Sequence, residues 1–86
     1  MTFYVYMLIN NHNNKKISYV GWTNNLTQRI KKHNSGTGAK FTRGRKWKLI
    51  YKKAYNTKTS AMRNEYLLKK NIKKRSIIKK KFLKNI

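Results

Sequence analysis

The chain has 86 residues, of which 23 are Lys or Arg and one, Glu65, is acidic, giving a formal net charge of +22. There is no Cys, which excludes disulfides and thiolate metal sites, and a body so small and positive repels itself over its whole surface, so that a polyanion, nucleic acid first, relieves it best. A single carboxylate also excludes a two-metal nuclease site held by several acidic side chains.

No Pro, repeat or Gly/Ser linker interrupts residues 1–86, which read as one domain. At this length only about 60–65% of the unfolded chain's surface is buried, so the core is thin. The first apolar run, Phe3 to Ile9, has the aromatic and branched residues of a strand. It is too short and too polar at its ends for a signal peptide or a membrane span, and a cytoplasmic protein is expected. Turn-formers follow, and residues 17–22, "ISYVGW", complete an expected antiparallel hairpin with a loop around His12. Gly21 in that strand points to a bulge or a close backbone approach.

From Asn25 to Asn34 the period lengthens. Leu26, Ile30 and His33 fall on one helical face, with Thr23, Asn24 or Asn25 as N-cap and Gly36 as stop. The basic, Gly-rich loop "GTGAKFTRGRK" (36–46) leads into a third strand, 47–55. A second helix opens with Thr59 or Ser60 as cap and recurs apolar at Ala61, Leu68 and Ile72, with Glu65 on the same side. Residues 76–86 read as a short basic amphipathic helix, with Ile78, Phe82 and Ile86 four apart. The expected fold class is α+β with a small antiparallel sheet, in the order β-β-α-β-α-α.

Several side chains in this layout have chemistry to offer. Paired in a hairpin, the first two strands bring Tyr4 or Tyr6 beside Tyr19, an arrangement that by itself is ordinary packing. Arg29 and His33, four apart, share a helix face and suggest a phosphate-facing cluster. Glu65 has Lys69 at i+4 for an ion pair of about 0.3–0.5 kcal/mol. Alternatively it is a metal ligand, because Mg²⁺ often takes only one or two protein carboxylates and completes its shell with water and phosphate. Lys40, Arg43, Arg45 and Lys46 lie in a loop whose Gly36, Gly38 and Gly44 let backbone N–H groups approach phosphates, and Lys69 opens a Lys-rich stretch that runs to residue 84. None of these positions suggests base readout, so shape-selective or nonspecific binding with a steep salt dependence is expected.

The ordered set resembles the GIY-YIG endonuclease domain, and within it the small stand-alone bacterial YhbQ-like branch. "YVY" (4–6), "YVG" (19–21), Arg29 eight residues after that Gly, His33, the run "HNSGTGAKFTRGRKWKLIY" and Glu65 in "AMRNEYLLKK" carry the likeness over residues 3 to 75. Tyr4 stands where the name-giving motif has Gly, a departure also typical of the small branch. The resemblance implies a three-stranded antiparallel sheet flanked by helices and metal-dependent hydrolysis of a phosphodiester in DNA or RNA, DNA first. Carried onto this sequence, it implies catalytic roles for Tyr6, Tyr19, Arg29 and His33 and a metal-binding role for Glu65, with Mg²⁺ or Mn²⁺ as cofactor. It leaves the family's late Asn unassigned, since Asn71 is too close to Glu65 and Asn85 too far. Either tyrosine could take the proton of the attacking water. The competing expectation is a noncatalytic basic protein docked on nucleic acid, for example on ribosomal RNA, which needs no metal.

Overall fold

The computed structural model describes residues 1–12, 15–42, 44 and 46–84. Strands β1 (Phe3–His12), β2 (Lys15–Thr23) and β3 (Lys48–Tyr55) form an antiparallel sheet in the order β2-β1-β3. Helix α1 (Leu26–Ser35) and a 3₁₀ turn (Lys40–Thr42) precede β3, and α2 (Lys58–Lys70) and α3 (Ile72–Lys84) follow it. The α+β class and the β-β-α-β-α-α order agree with the sequence expectation. His12 pairs with Lys15 in the ladder, so the strands extend through the loop expected around His12, while Asn13 and Asn14 lie outside the described residues.

The central strand explains why β1 reads as an unbroken apolar run, since Val5 through Ile9 are all buried between helices on both faces of the sheet. Odd positions face one layer. Val5 and Met7 pack with Val20, Ala61 and Leu68, beneath α2, and with Ile78 of α3. Even positions face the other. Tyr6 and Leu8 pack with Trp47 and with Tyr19, Leu26 and Ile30, beneath α1. Each such buried apolar side chain contributes about 1.5–3 kcal/mol. A register shift between Met7 and Leu8 opposes them to Tyr51 and Leu49 and leaves Ile50 as the extra residue of β3.

Capping chemistry sets the helix ends. Asn25 is the residue among the three N-cap candidates whose side chain accepts the Gln28 N–H, at 3.1 Å, and Gly36 ends α1 in the left-handed region at φ 85°. Helix α2 is capped by Thr57, whose hydroxyl accepts the Ser60 N–H at 3.1 Å, so it begins earlier than the expected Thr59 or Ser60 caps allow. Asn71 serves two helices. Its N–H donates to Leu67 and Leu68 carbonyls at the end of α2, and its Oδ1 accepts the Lys74 N–H at 2.9 Å to start α3. The break there rotates the apolar stripe: Ile72, expected on the buried side with Ala61 and Leu68, is 72% exposed and opens α3. Helix α3 thus starts a turn before residue 76, with Ile78 and Phe82 half-buried and Ile86 outside the described residues.

Candidate active site

The hairpin register builds the first half of the site. Tyr6 lies opposite Gly21 and Leu8 opposite Tyr19, so Tyr6 and Tyr19 are diagonal neighbours on the α1 face with ring centroids 6.4 Å apart. Tyr4 pairs with Thr23 and borders a separate depression with Asn24 and Lys52. Of the two candidates it is therefore Tyr6 that neighbours Tyr19. Gly21 makes this possible without a bulge, because a Cβ at that position would lie 2.6 Å from the Tyr6 hydroxyl oxygen and 3.1 Å from Tyr19 Cε2. The close backbone approach is the reading that holds.

Helix α1 supplies two side chains with different exposures. Arg29 is half-buried and its Nε–H donates to the Tyr6 hydroxyl oxygen at 3.4 Å. His33 is 0% exposed, with Nε2 2.7 Å from the Tyr6 hydroxyl and Nδ1 2.8 Å from Thr42 Oγ1, and its ring packs 4.9 Å from that of Tyr19. The pair does not form a phosphate-facing cluster. His33 shares the inward stripe of Leu26 and Ile30, so it stands behind Tyr6, and only Arg29 reaches the cleft. Burial, and secondarily the charge of Arg29, lowers the His33 pKa to about 4, so the imidazole is neutral. Burial likewise pushes the Tyr6 phenol up to about 12 against the opposing hydrogen bond from Arg29, and that same bond raises the Arg29 pKa.

Glu65 arrives from the opposite layer. Tyr6, Tyr19, Gly21, Arg29 and Glu65 line one cleft of about 430 Å³ that crosses the outer edge of β2, with Trp22 and Lys58 among its other walls. The Glu65 carboxylate is ion-paired through Oε1 with Lys69 Nζ at 3.1 Å, the Lys side chain being 51% exposed and the Glu 18%. That pair is the i+4 contact expected from the sequence. Among the described residues no group of three or more His, Cys, Asp or Glu side chains comes together. A closed nitrogen or sulfur cage is therefore not what these residues build; a single carboxylate in a cleft shared with Tyr6, Tyr19 and Arg29 suits a hard cation that completes its shell with water and phosphate.

The expected phosphate-binding loop is only partly in view. Lys40 and Lys46 are exposed, Arg43 and Arg45 lie outside the described residues, and Lys69 is engaged with Glu65. Gly38 does not open backbone toward solvent; a Cβ there would sit 2.6 Å from His33 Nδ1, so this glycine lets the loop close over the histidine. Sequence reading missed Thr42 and Lys58. A buried imidazole needs a partner for its second nitrogen, and nothing in linear spacing said that a 3₁₀ turn nine residues on would bring it.

The sequence pattern of the GIY-YIG catalytic domain matches residues 2–81, and the chain belongs to that family. Among its relatives, a UPF0213 protein of Clostridium perfringens is 55% identical over 53 residues, covering 60% of this chain and 57% of the relative. One from Bacillus velezensis is 40% identical over 73 residues, covering 84% of this chain and 71% of the relative. The solution structure of a UPF0213 protein from Bacillus halodurans is 39% identical and covers 92% of this chain and 84% of that one, with a TM-score of 0.49. The match spans less than two thirds of the length of the relatives from Clostridium perfringens, Bacillus licheniformis and Bacillus subtilis. No helix among the described residues is long and apolar enough to cross a membrane.

Proposed function

We propose that this protein is a divalent-metal-dependent endonuclease that hydrolyses phosphodiester bonds in DNA, by shape or without sequence preference, in a cytoplasmic setting such as DNA repair. The observation that carries this reading is the cleft in which the chain's one carboxylate meets two phenols and a guanidinium. A role in ion pairing alone would leave Glu65 anywhere on the lysine-rich surface.

In the resting protein Tyr6 keeps its proton, with the phenol at about 12 and its neighbour His33 at about 4. Tyr6 therefore acts as a conduit. Its oxygen takes a proton from the attacking water while its own proton passes to His33 Nε2, 2.7 Å away. Burial is the larger cause of the lowered His33 pKa and persists with substrate bound, so His33 holds the proton only in passing; the phosphate's negative charge offsets the smaller contribution of Arg29. The hydroxide oxygen then bonds to phosphorus, the bond from phosphorus to the leaving oxygen breaks, that oxygen takes a proton from solvent, and His33 returns its proton through Tyr6 to water in the cleft, restoring the neutral imidazole. Arg29 stabilises charge building on the phosphoryl oxygens, and Tyr19 orients the water or the phosphate. Glu65 is the residue that would hold Mg²⁺ or Mn²⁺, which when bound neutralises charge on the phosphoryl and leaving oxygens. Lys40 and Lys46, with Arg43 and Arg45, grip the backbone without reading bases.

The test is a panel of nicked, branched, single-stranded and duplex DNA, with matching RNA, incubated with wild type and Glu65→Gln in Mg²⁺ and in Mn²⁺. Cutting by wild type alone is the expected result. Binding to every structure with no cutting by either protein would instead favour a noncatalytic basic binder.

A further inference from the structure

We propose that Thr42 is a positioning residue: its hydroxyl fixes His33 as the Nδ1–H tautomer and thereby turns the Tyr6 proton inward, leaving the Tyr6 oxygen to accept from the cleft. The consequence for rate rests on the endonuclease reading; the tautomer itself does not.

The assignment follows from counting donors. Thr42 is wholly buried and its Oγ1 has two partners, the Ala39 carbonyl at 2.8 Å and His33 Nδ1 at 2.8 Å. A carbonyl oxygen only accepts, so the one hydroxyl proton of Thr42 goes to Ala39, and Oγ1 is left as an acceptor toward His33. Nδ1 must then carry a hydrogen. The imidazole is neutral and has one N–H to give, so Nε2 is bare where it meets the Tyr6 hydroxyl at 2.7 Å, and Tyr6 must be the donor there. One direction runs through the whole chain, from Arg29 Nε–H to the Tyr6 oxygen, from Tyr6 O–H to His33 Nε2, from His33 Nδ1–H to Thr42, and from Thr42 O–H to Ala39.

The opposite tautomer breaks this chain at both ends. Nδ1 and Thr42 Oγ1 would face each other as two acceptors unless the hydroxyl left Ala39, and an Nε2–H would drive the Tyr6 proton outward. An oxygen whose proton points into the cleft has nowhere to pass a second one. The surroundings hold Thr42 in place. Its N–H donates to the Ala39 carbonyl at 3.1 Å, the Trp47 Nε1–H donates to its carbonyl at 3.0 Å, and Gly38 lets this loop close on the imidazole.

The test reads the imidazole directly by ¹⁵N-labelled histidine NMR on the full chain, in a His12→Gln background that removes the second histidine. Wild type and Thr42→Ser are expected to show Nδ1–H with Nε2 bare. Thr42→Val, which keeps the shape and loses the hydroxyl, is expected to show Nε2–H or a mixture. In cleavage assays Thr42→Val should lower kcat on the order of 10²-fold with KM little changed, and Thr42→Ser should restore it. An Nε2–H tautomer in wild type, or an unchanged Nδ1–H in Thr42→Val, overturns the proposal. Should Thr42→Val fail to fold, the tautomers of wild type and Thr42→Ser still decide it. Should wild type cut nothing, the endonuclease reading fails while the NMR result stands.

Discussion

The Tyr6 hydroxyl occupies the space that a side chain at position 21 would need, with its oxygen 2.6 Å and its Cζ 2.8 Å from where a Cβ would lie. Neither residue has room to yield, since Tyr6 is fully buried in the central strand and Gly21 sits opposite it in the ladder. Gly21→Ala should therefore cost about 1–3 kcal/mol in denaturant unfolding, as overpacking does. It should also push the phenol off His33 Nε2, so cleavage falls by more than stability alone explains. An alanine variant with wild-type stability and full activity would contradict the geometry.

Glu65→Gln separates chemistry from folding. The ion pair with Lys69 is largely solvated on the lysine side, so its loss should change unfolding free energy by no more than about 0.5 kcal/mol. Phosphodiester cleavage should fall by about 10² or more, and affinity for DNA should hold or rise, because a negative charge has gone. Raising Mg²⁺ should restore part of the lost cleavage if Glu65 holds the metal, and no recovery at any Mg²⁺ concentration would count against that role.

Stability should depend on pH at both ends of the range through two residues that touch. His33 titrates near its ordinary 6.5 when unfolded and at about 4 when folded, so between these values the unfolded chain binds more protons and stability rises with pH. For this one group the slope is at most about 1.4 kcal/mol per pH unit, and it is lost as pH falls toward 4. Tyr6 works in the other direction. Its phenol ionises near 10.0 unfolded and at about 12 folded, so stability falls as pH rises through that window. Urea unfolding across pH, for wild type and for a foldable His33→Gln variant, should show the acid limb flattening in the variant.

Affinity for nucleic acid should fall steeply with salt, with a slope of about −0.9 per phosphate neutralised on duplex DNA. Lys40→Ala and Lys46→Ala, both exposed and not among the residues lining the cleft, should each reduce that slope by about 1 and weaken all sequences alike. Titrations on two unrelated sequences at several salt concentrations would check this; unequal losses would mean that a base is being read.

How much of this was legible in the sequence varies by kind of information. The apolar run of β1, the period change at Asn25 and the spacing of the aromatic and charged motif gave the element order and brought Tyr6, Tyr19, Arg29 and Glu65 to attention. What it could not give was direction. That His33 faces inward was latent in its sharing a stripe with Leu26 and Ile30, yet its pairing with Arg29 at i+4 suggested an outward cluster, and burial decided the matter. Thr57, Thr59 and Ser60 are all credible caps, and only the path of the chain out of β3 selects the first. The helical spacing of Ala61, Leu68 and Ile72 continues unbroken through Asn71, whereas the backbone there, at φ −90° and ψ 81°, does not. Thr42 left no trace because its importance lies in which lone pair it offers, a property of a folded turn.

The cleft draws its walls from both layers across the rim of a three-stranded sheet, so a slip of β1 by a single residue would exchange the occupants of the two layers and scatter the phenols from the guanidinium. The cationic charge, by contrast, is present at every stage of folding. On the proposed endonuclease reading, an incompletely folded chain would cling to a polynucleotide yet be inert toward it, and adhesion would precede competence to cut.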